Sequence, residues 1–222
     1  MDPSFYENRL YPLQDRVLAT MAPVEGAFYL TGGTAMSRGY FGHRYSDDLD
    51  FFMNDDDSFG LQADRVVHAL SQCPDWTVRV VLKDVRFVRL NVRQGEVDLK
   101  VEFINDVPSH IGPIADHPVL RRLDSRENIL ANKVTAALDR EEPKDLADIW
   151  ALCVLGGLSL QRAVHDADSK AAGVFAPDLA RVLASATADD YGLIRWKSGP
   201  GVEVFCRDLA RLAEELLLAP LG

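Results

Sequence analysis

Two acidic residues stand inside an apolar stretch, soon after a pair of glycines. The segment reads LTGGTAMSRGYFGHRYSDDLDFF, and Asp48 and Asp50 flank a leucine near its end. Alternate side chains of a β-strand share a face, so these two carboxylates are expected to point the same way. Adjacent carboxylates repel each other unless a cation lies between them. Because hard oxygen ligands suit Mg²⁺ or Mn²⁺, the pattern predicts a divalent metal site at these two acids.

The glycine pair supplies a second element. Gly32 and Gly33 predict a turn that leads into a helix, and Thr34 adds a hydroxyl. The first backbone N–H groups of such a helix lie at its positive end, which favours a phosphate. We therefore expect a cradle for the triphosphate of an NTP beside the metal ions. An ordinary tight turn and a solvated strand face are the alternative interpretations.

A third acid lies on a later predicted strand, EVDLKVEFI. Asp98, Lys100 and Glu102 share one face of this strand, and the apolar residues between them share the other. If this strand lies beside the strand of Asp48 and Asp50, one of its acids completes a two-metal site of three carboxylates. We favour Glu102 as this acid and keep Asp98 as the alternative.

The combined pattern resembles the DNA polymerase β-like nucleotidyltransferases. That pattern has a glycine followed by Thr or Ser, about a dozen further residues (here 35–47), Asp–apolar–Asp, and a third acid on a later strand. More narrowly, the Gly-Gly-Thr-Ala turn and the His-Arg-x-Ser segment resemble the AbiEii/AbiGii-type toxin nucleotidyltransferases. The resemblance covers roughly residues 28–155. Glu102 departs from it, because the commoner third acid is Asp.

The second half of the chain adds later motifs of that family, in ENILANKVTAALDREEPKDLADIWAL. They are a helix bearing Lys133, an arginine at Arg140, and Lys144 with Asp145 on the next helix. The resemblance implies metal-dependent transfer of a nucleoside monophosphate from an NTP to an acceptor hydroxyl. It further implies an RNA acceptor, tRNA in particular, and a toxin countered by a neighbouring antitoxin protein.

Physical reasoning about these helical residues leaves alternatives open. Lys133 lies beside an apolar stripe and could reach the nucleotide phosphates, or it could extend along a wet helix face. Asp145 is expected to orient Lys133 or Arg140, or to help activate the acceptor hydroxyl. Simple interhelical ion pairing is the competing interpretation.

The segment before the acid pair offers further candidates. Arg44 is expected to contact a phosphate and Ser46 to brace the acid strand, while His43 is more often a structural residue. Six arginines are the best candidates for a patch that binds a polyanionic acceptor, although charge runs usually form solvated faces. They are Arg86, Arg89, Arg93, Arg121, Arg122 and Arg126.

The predicted elements give an α+β fold. A helix is expected over residues 6–20 and another over 59–70, with strands at 27–30, 48–53, 76–82, 86–92 and 97–104. From about residue 123 the pattern is helical, with Asp124 and Glu127 as a capping box. We therefore predict a nucleotidyltransferase-type mixed sheet flanked by helices over residues 1–120. A helical lobe over 121–222 follows, with a cleft between the two.

Composition restricts the function classes. Of 222 residues, 47% are hydrophobic and 26% charged, which is typical of a globular protein. The net charge of −10 argues against a broad surface that coats nucleic acid. The three cysteines lack metal-ligand spacing, no apolar run is long enough to span a bilayer, and the N-terminus does not read as a signal peptide. We expect a cytoplasmic protein with no membrane partner.

Two other functions remain as alternatives. The same chemistry could act on a small cationic acceptor such as an aminoglycoside-like amino sugar, which would suit the acidic composition. A nucleotide-binding module without turnover is the second, and the presence of all the expected acids argues against it.

Overall fold

The computed structural model describes residues 2–24, 26–140 and 142–218. The chain divides into two compact units. The first comprises Met1–Tyr40 and Tyr45–Asp124, and the second comprises Phe41–Arg44 and Ser125–Gly222. Four residues from the first third of the sequence thus belong to the second unit.

A mixed sheet forms the centre of the first unit. In the described part of the chain it has seven strands in the order β3-β4-β5-β2-β1-β7-β6. The strands are β1 (Tyr29–Thr31), β2 (Leu49–Asn54), β3 (Thr77–Lys83), β4 (Phe87–Gln94), β5 (Val97–Asp106), β6 (Ala115–His117) and β7 (Arg121–Leu123). β2 pairs with β5 in parallel and with β1 antiparallel. The mixed sheet with flanking helices confirms the predicted fold class, whereas the three-residue strands β6 and β7 were not predicted.

Helices complete the first unit. They are α1 (Pro3–Phe5), α2 (Tyr11–Met21), α3 (Gly32–Thr34) and α4 (Phe59–Ser71). A π-helical stretch, Tyr6–Leu10, joins α1 to α2, and another, Ala35–Phe41, continues α3. The predicted helices at 6–20 and 59–70 are therefore present.

Side-chain alternation on β2 separates the core from the site. Leu49, Phe51 and Met53 are buried, and the intervening side chains are only partly covered. Phe51 stacks on Phe103 of β5 with ring centroids 5.3 Å apart. Because burying such aromatic side chains strongly favours one register, Asp50 of β2 is fixed on the opposite face of the sheet.

The second unit is helical. Its elements are α5 (Arg126–Arg140), α6 (Pro143–Trp150), α7 (Leu160–Ala167), α8 (Ala176–Ala184), α9 (Ala188–Leu193) and α10 (Val202–Leu218), with a π-helical stretch at Ala151–Leu155. Trp196 packs against Trp150, Tyr191 and Phe205, as expected for a residue of a small core.

The N-terminus of α5 differs from the prediction. The Ser125 hydroxyl, not the Asp124 carboxylate, accepts a hydrogen bond from the backbone N–H of Asn128 (3.0 Å). Asp124 is buried in the first unit, where the Thr31 hydroxyl donates to its carboxylate. The predicted Asp124–Glu127 capping box is therefore wrong, because a tertiary partner takes the carboxylate.

Two further properties concern membrane spanning and the cysteine thiols. No helix within the described ranges has the length and apolar character needed to cross a bilayer. Cys73, Cys153 and Cys206 are free thiols, and burial raises the pKa of Cys153 to about 12. The Cys153 thiol is thus protonated and unreactive at neutral pH.

Candidate active site

The sheet brings two of the predicted acids side by side. β2 and β5 run parallel, and Asp50 is the register partner of Glu102. Asp48 comes directly before β2, two residues from Asp50. The strand therefore begins at Leu49, one residue later than predicted. Asp98 lies four residues from Glu102, is exposed, and pairs with Arg93 of β4. Of the two candidates for the third carboxylate, Glu102 is the one next to Asp50.

The glycine turn lies against this acid pair. Gly32 has a φ of +66°, and a Cβ atom built on it would lie 2.8 Å from Oδ2 of Asp50. Gly33 follows it as a buried residue of α3. Glycine is needed at position 32 for two independent reasons, the left-handed backbone and the close approach of a carboxylate.

A Gly32→Ala substitution should therefore destabilise the first unit and displace Asp50. The left-handed backbone alone costs about 1–2 kcal/mol for a residue with a Cβ, and the clash adds to it. Gly95→Ala is the matched control, because Gly95 has a φ of +60° but no atom within 4 Å of its Cβ position. Urea unfolding should show a larger loss for Gly32→Ala than for Gly95→Ala. Equal losses of unfolding free energy would mean that the Asp50 carboxylate moves away from the new Cβ atom at no energetic cost.

A lysine ammonium stands among the carboxylates. Nζ of Lys100 lies 3.0 Å from Oδ2 of Asp48 and 3.2 Å from Oε2 of Glu102. Nε of Arg89 lies 2.6 Å from the other carboxylate oxygen of Glu102. Burial alone would lower the pKa of Lys100, but the Asp48 hydrogen bond and the surrounding carboxylates raise it. Burial likewise acts to raise the pKa of Glu102, but Lys100 and Arg89 hold it below its usual range.

This arrangement tests whether a divalent metal fits. Within residues 2–24, 26–140 and 142–218, no group of three or more His, Cys, Asp and Glu side chains is already gathered as a metal site. Instead the Lys100 ammonium is a cation of the chain itself that already contacts two of the three carboxylates, those of Asp48 and Glu102. The donor set of Asp48, Asp50 and Glu102 is purely oxygen and suits Mg²⁺ or Mn²⁺. The donor atoms are thus of the type that such an ion prefers, although the three side chains are not arranged as a ready-made ligand group.

The residues predicted to contact the nucleotide from the loop have other partners. The buried Thr34 hydroxyl donates to the backbone carbonyl of Asp48 and lies 3.1 Å from the Ser46 hydroxyl. The backbone N–H of Ser46 donates to the Tyr11 hydroxyl (3.3 Å), and the Gln14 amide donates to the carbonyl of Asp47 (3.0 Å). The Thr34 hydroxyl thus holds the acid segment through the Asp48 carbonyl, and the prediction that Thr34 binds phosphate stays a prediction. Ser46 lies in the same hydrogen-bonded segment.

In the second unit, Arg44 takes part in a buried ion pair. The Arg44 guanidinium donates to both oxygens of Asp148, from Nε (2.8 Å) and from Nη2 (2.7 Å). Nε2 of His43 lies 2.9 Å from the same carboxylate. All three side chains are buried, so Arg44 has an ion-paired structural role, and its predicted contact with a phosphate stays a prediction.

Lys133 joins the same network. Its Nζ lies 2.7 Å from Asp145 and 2.6 Å from Asp148, and its side chain is almost fully buried. Arg140 donates to both oxygens of Asp145, at 2.7 Å and 3.0 Å. The structure therefore places Asp145 where it orients both Lys133 and Arg140. We call Arg44, Lys133, Asp145 and Asp148 the buried ion network.

The carboxylates of this network are ionised. Burial would raise the pKa of Asp148, but Arg44, Lys133 and the His43 hydrogen bond hold it well below its usual range. Burial acts the same way on Asp145, and Lys133 and Arg140 hold its pKa low. For Lys133, burial would lower the pKa, and the two aspartates raise it.

Sequence reasoning missed two central residues. Asp148 was one, since its partner Arg44 is 104 positions away and leaves no local signal. Lys100 was placed on the face of Glu102 by strand alternation, which was a usable signal.

Three of the arginines proposed for a polyanion-binding patch have different partners. Arg86 pairs with Asp55, Arg89 with Glu102, and Arg122 donates to the carbonyl of Gly26.

Solved structures show the class of fold. JHP933 from Helicobacter pylori superposes with a TM-score of 0.67 at 18% identity, covering 97% of this chain and 93% of that one. MenT4, a nucleotidyltransferase toxin from Mycobacterium tuberculosis, gives a TM-score of 0.62 at 18% identity and covers 96% and 84%. The fold is thus that of nucleotidyltransferase-like toxins. No curated protein sequence matches the chain.

The family profile described as nucleotidyl transferase AbiEii toxin, of a type IV toxin–antitoxin system, matches residues 16–198. Since the match spans well over half of the sequence, the chain belongs to the AbiEii nucleotidyltransferase toxin family. The resemblance drawn from the glycine turn and the acid pair is confirmed. The family makes the chain a nucleotidyltransferase of a toxin–antitoxin system.

Proposed function

We propose that the protein transfers a nucleoside monophosphate from an NTP to an acceptor hydroxyl in a reaction that depends on Mg²⁺ or Mn²⁺. The observation that carries the proposal is the matched register of Asp50 and Glu102, with the Asp50 carboxylate packed on the Gly32 turn. Carboxylates and a glycine turn placed together suit the two charged parts of the substrate, its metal ions and its phosphates.

Each residue has a distinct part in this proposal. Asp48, Asp50 and Glu102 would hold the metal, and the turn of Gly32 and Gly33 would receive the phosphates. A bound divalent ion supplies charge neutralisation and a lowered pKa for the acceptor hydroxyl. The hydroxyl oxygen bonds to the α-phosphorus while the bond from that phosphorus to the bridging oxygen breaks, and pyrophosphate leaves. Positioning and electrostatics provide most of the rate enhancement in such transfers.

Lys133 and Asp145 have a supporting part in this proposal. Asp145 lies 2.7 Å from the Lys133 ammonium and holds it charged in one orientation. Because this ammonium is buried against Asp145 and Asp148, the two residues would act by holding the second unit in shape.

The acceptor we propose is RNA, tRNA in particular, and the partner in the cell is an antitoxin protein. Membership in a toxin family of type IV toxin–antitoxin systems supports the antitoxin, and the RNA acceptor is what the sequence resemblance implies. Growth arrest by modification of RNA would be the outcome when the antitoxin is absent.

The test is incubation of the purified chain with each α-labelled NTP, Mg²⁺ and total RNA, followed by gel electrophoresis. Label in an RNA band, lost in Asp50→Asn and after chelation by EDTA, is the expected result. In a parallel reaction with total metabolites as the acceptor mixture, label in a small product would instead identify a small-molecule acceptor. NTP binding without any release of pyrophosphate would identify a nucleotide-binding module and contradict the proposal.

A further inference from the structure

We infer that Lys100 is an internal counter-ion of the acid cluster and that it leaves the carboxylates when a divalent cation binds. It thereby sets how tightly Asp48, Asp50 and Glu102 hold a free metal ion. The inference rests on the proposed function, because it takes these three acids as the metal-binding carboxylates.

The contacts of Lys100 are the first argument. Its ammonium touches one oxygen of Asp48 at 3.0 Å and one oxygen of Glu102 at 3.2 Å, and so joins the acid segment before β2 to the neighbouring strand β5. Arg89 takes the other oxygen of Glu102. The Glu102 oxygen that Lys100 contacts is therefore the one that Arg89 leaves for another cation, and on Asp48 the ammonium takes one of the two oxygens.

Charge is the second argument. A divalent ion bound to these carboxylates would stand within a few ångströms of the ammonium, and like charges at that separation repel strongly. Asp48, Asp50 and Glu102 carry three negative charges, while Lys100 and Arg89 supply two positive ones. The cluster is thus largely neutralised from within, and a free metal ion must compete with Lys100 for it.

The freedom of Lys100 to move is the third argument. Its side chain is 39% exposed, and pairing of its backbone with Asn91 fixes only the base of a flexible stem. Lys133 offers a contrast, since its ammonium is buried against two aspartates and has no such exit. Release of Lys100 to solvent leaves no charge buried without a partner.

Lys100→Met tests the inference through metal binding in the absence of nucleotide. Titration calorimetry with Mn²⁺ should show affinity for Lys100→Met about tenfold tighter than for the wild type, since one competing charge is removed. Lys100→Arg keeps a cation and should bind Mn²⁺ like the wild type. Lys83→Met is the matched control, because Lys83 pairs with Asp64 at the exposed edge strand and should leave Mn²⁺ affinity unchanged.

The outcomes separate this inference from the proposed function. If Asp50→Asn abolishes Mn²⁺ binding while Lys100→Met binds no tighter than the wild type, the role of Lys100 is overturned and the metal site stands. If neither the wild type nor Lys100→Met binds Mn²⁺, both are overturned.

A measurement on the wild-type chain removes any dependence on how the variant folds. Acylation of lysines, read by mass spectrometry, should be faster at Lys100 in saturating Mn²⁺ than without it, because the ammonium has left its carboxylates. Lys83 should react at the same rate in both conditions. An unchanged or slower rate at Lys100 would contradict its release.

Discussion

We expect Asp50→Asn to reduce the rate of nucleotide transfer by about a thousandfold or more. Asp50 lies between the Gly32 turn and Glu102, where its carboxylate faces both proposed parts of the substrate. Asparagine keeps the shape of the side chain and removes its charge, so metal affinity and transition-state stabilisation fall together. The measurement is the initial rate of pyrophosphate release at saturating NTP, Mg²⁺ and RNA.

Two substitutions on β5 serve as controls for this prediction. Glu102→Gln should cost activity on a similar scale, while Asp98→Asn should stay within about twofold of the wild type, because Asp98 is exposed and lies four residues from Glu102. A large loss in Asp98→Asn with activity retained in Glu102→Gln would reverse the assignment of the third carboxylate. Activity of Asp50→Asn above about a tenth of the wild type would refute the metal-site assignment.

The second large effect is on stability. Asp148→Asn should destabilise the second unit by about 3–5 kcal/mol, the range typical of removing one member of a buried ion pair. The substitution leaves the Arg44 guanidinium without its bidentate acceptor and removes one of the two aspartates at Lys133. Urea unfolding, monitored by tryptophan fluorescence, measures this loss of unfolding free energy, since Trp150 and Trp196 both belong to the second unit. A Trp76→Phe background removes the signal of the first unit.

Asp208→Asn is the matched control for this measurement. Asp208 is also buried, but its carboxylate accepts a hydrogen bond from the neutral Trp150 indole (3.0 Å), which an asparagine oxygen can still accept. Its ion pair with the exposed Arg207, at 3.4 Å, contributes little. The loss should be about 1 kcal/mol or less. A loss in Asp148→Asn no greater than that in Asp208→Asn would show that the buried ion network contributes little.

The same network predicts a pH dependence of stability. The pKa values of Asp145 and Asp148 are lower in the folded chain than in the unfolded one, so their contribution is present above the unfolded value, about 4, and is lost as pH falls through the folded values. The pKa of Lys133 is raised, so its contribution is present below about 10.4 and is lost as pH rises through its folded value. Unfolding of the second unit at a series of pH values should show acid destabilisation that is smaller in Asp148→Asn.

Strand alternation was enough to predict which acids share a face of the sheet. A period of two placed Glu102 on the face away from the core, and the neighbouring position of Asp50 then required only that β2 and β5 pair. The same period showed that Lys100 shares this face. Its contact with Asp48 depended on the parallel register of two strands that are far apart in sequence, which no local pattern fixes.

The contacts that the sequence did not reveal are those in which a polar side chain has a tertiary partner. Thr34 was expected to face phosphate, but it packs inward and bonds to the Asp48 carbonyl. Arg44 was expected to bind an anion, and it does so with Asp148 of the chain itself. The sequence indicated the kind of interaction in both cases, an ion pair for the arginine and a hydrogen bond for the threonine. It did not indicate the observed partner, because that depends on the folded backbone.

The membership of residues 41–44 in the second unit limits how this gene can be divided. A recombination breakpoint after Asp124 would transfer α5 to α10 as a cassette but leave His43 and Arg44 behind. Asp148 would then keep only Lys133 among its observed cationic partners. The helical half is therefore unsuited to exchange as an independent module, and fusions or split versions of the protein should carry the four-residue segment with it.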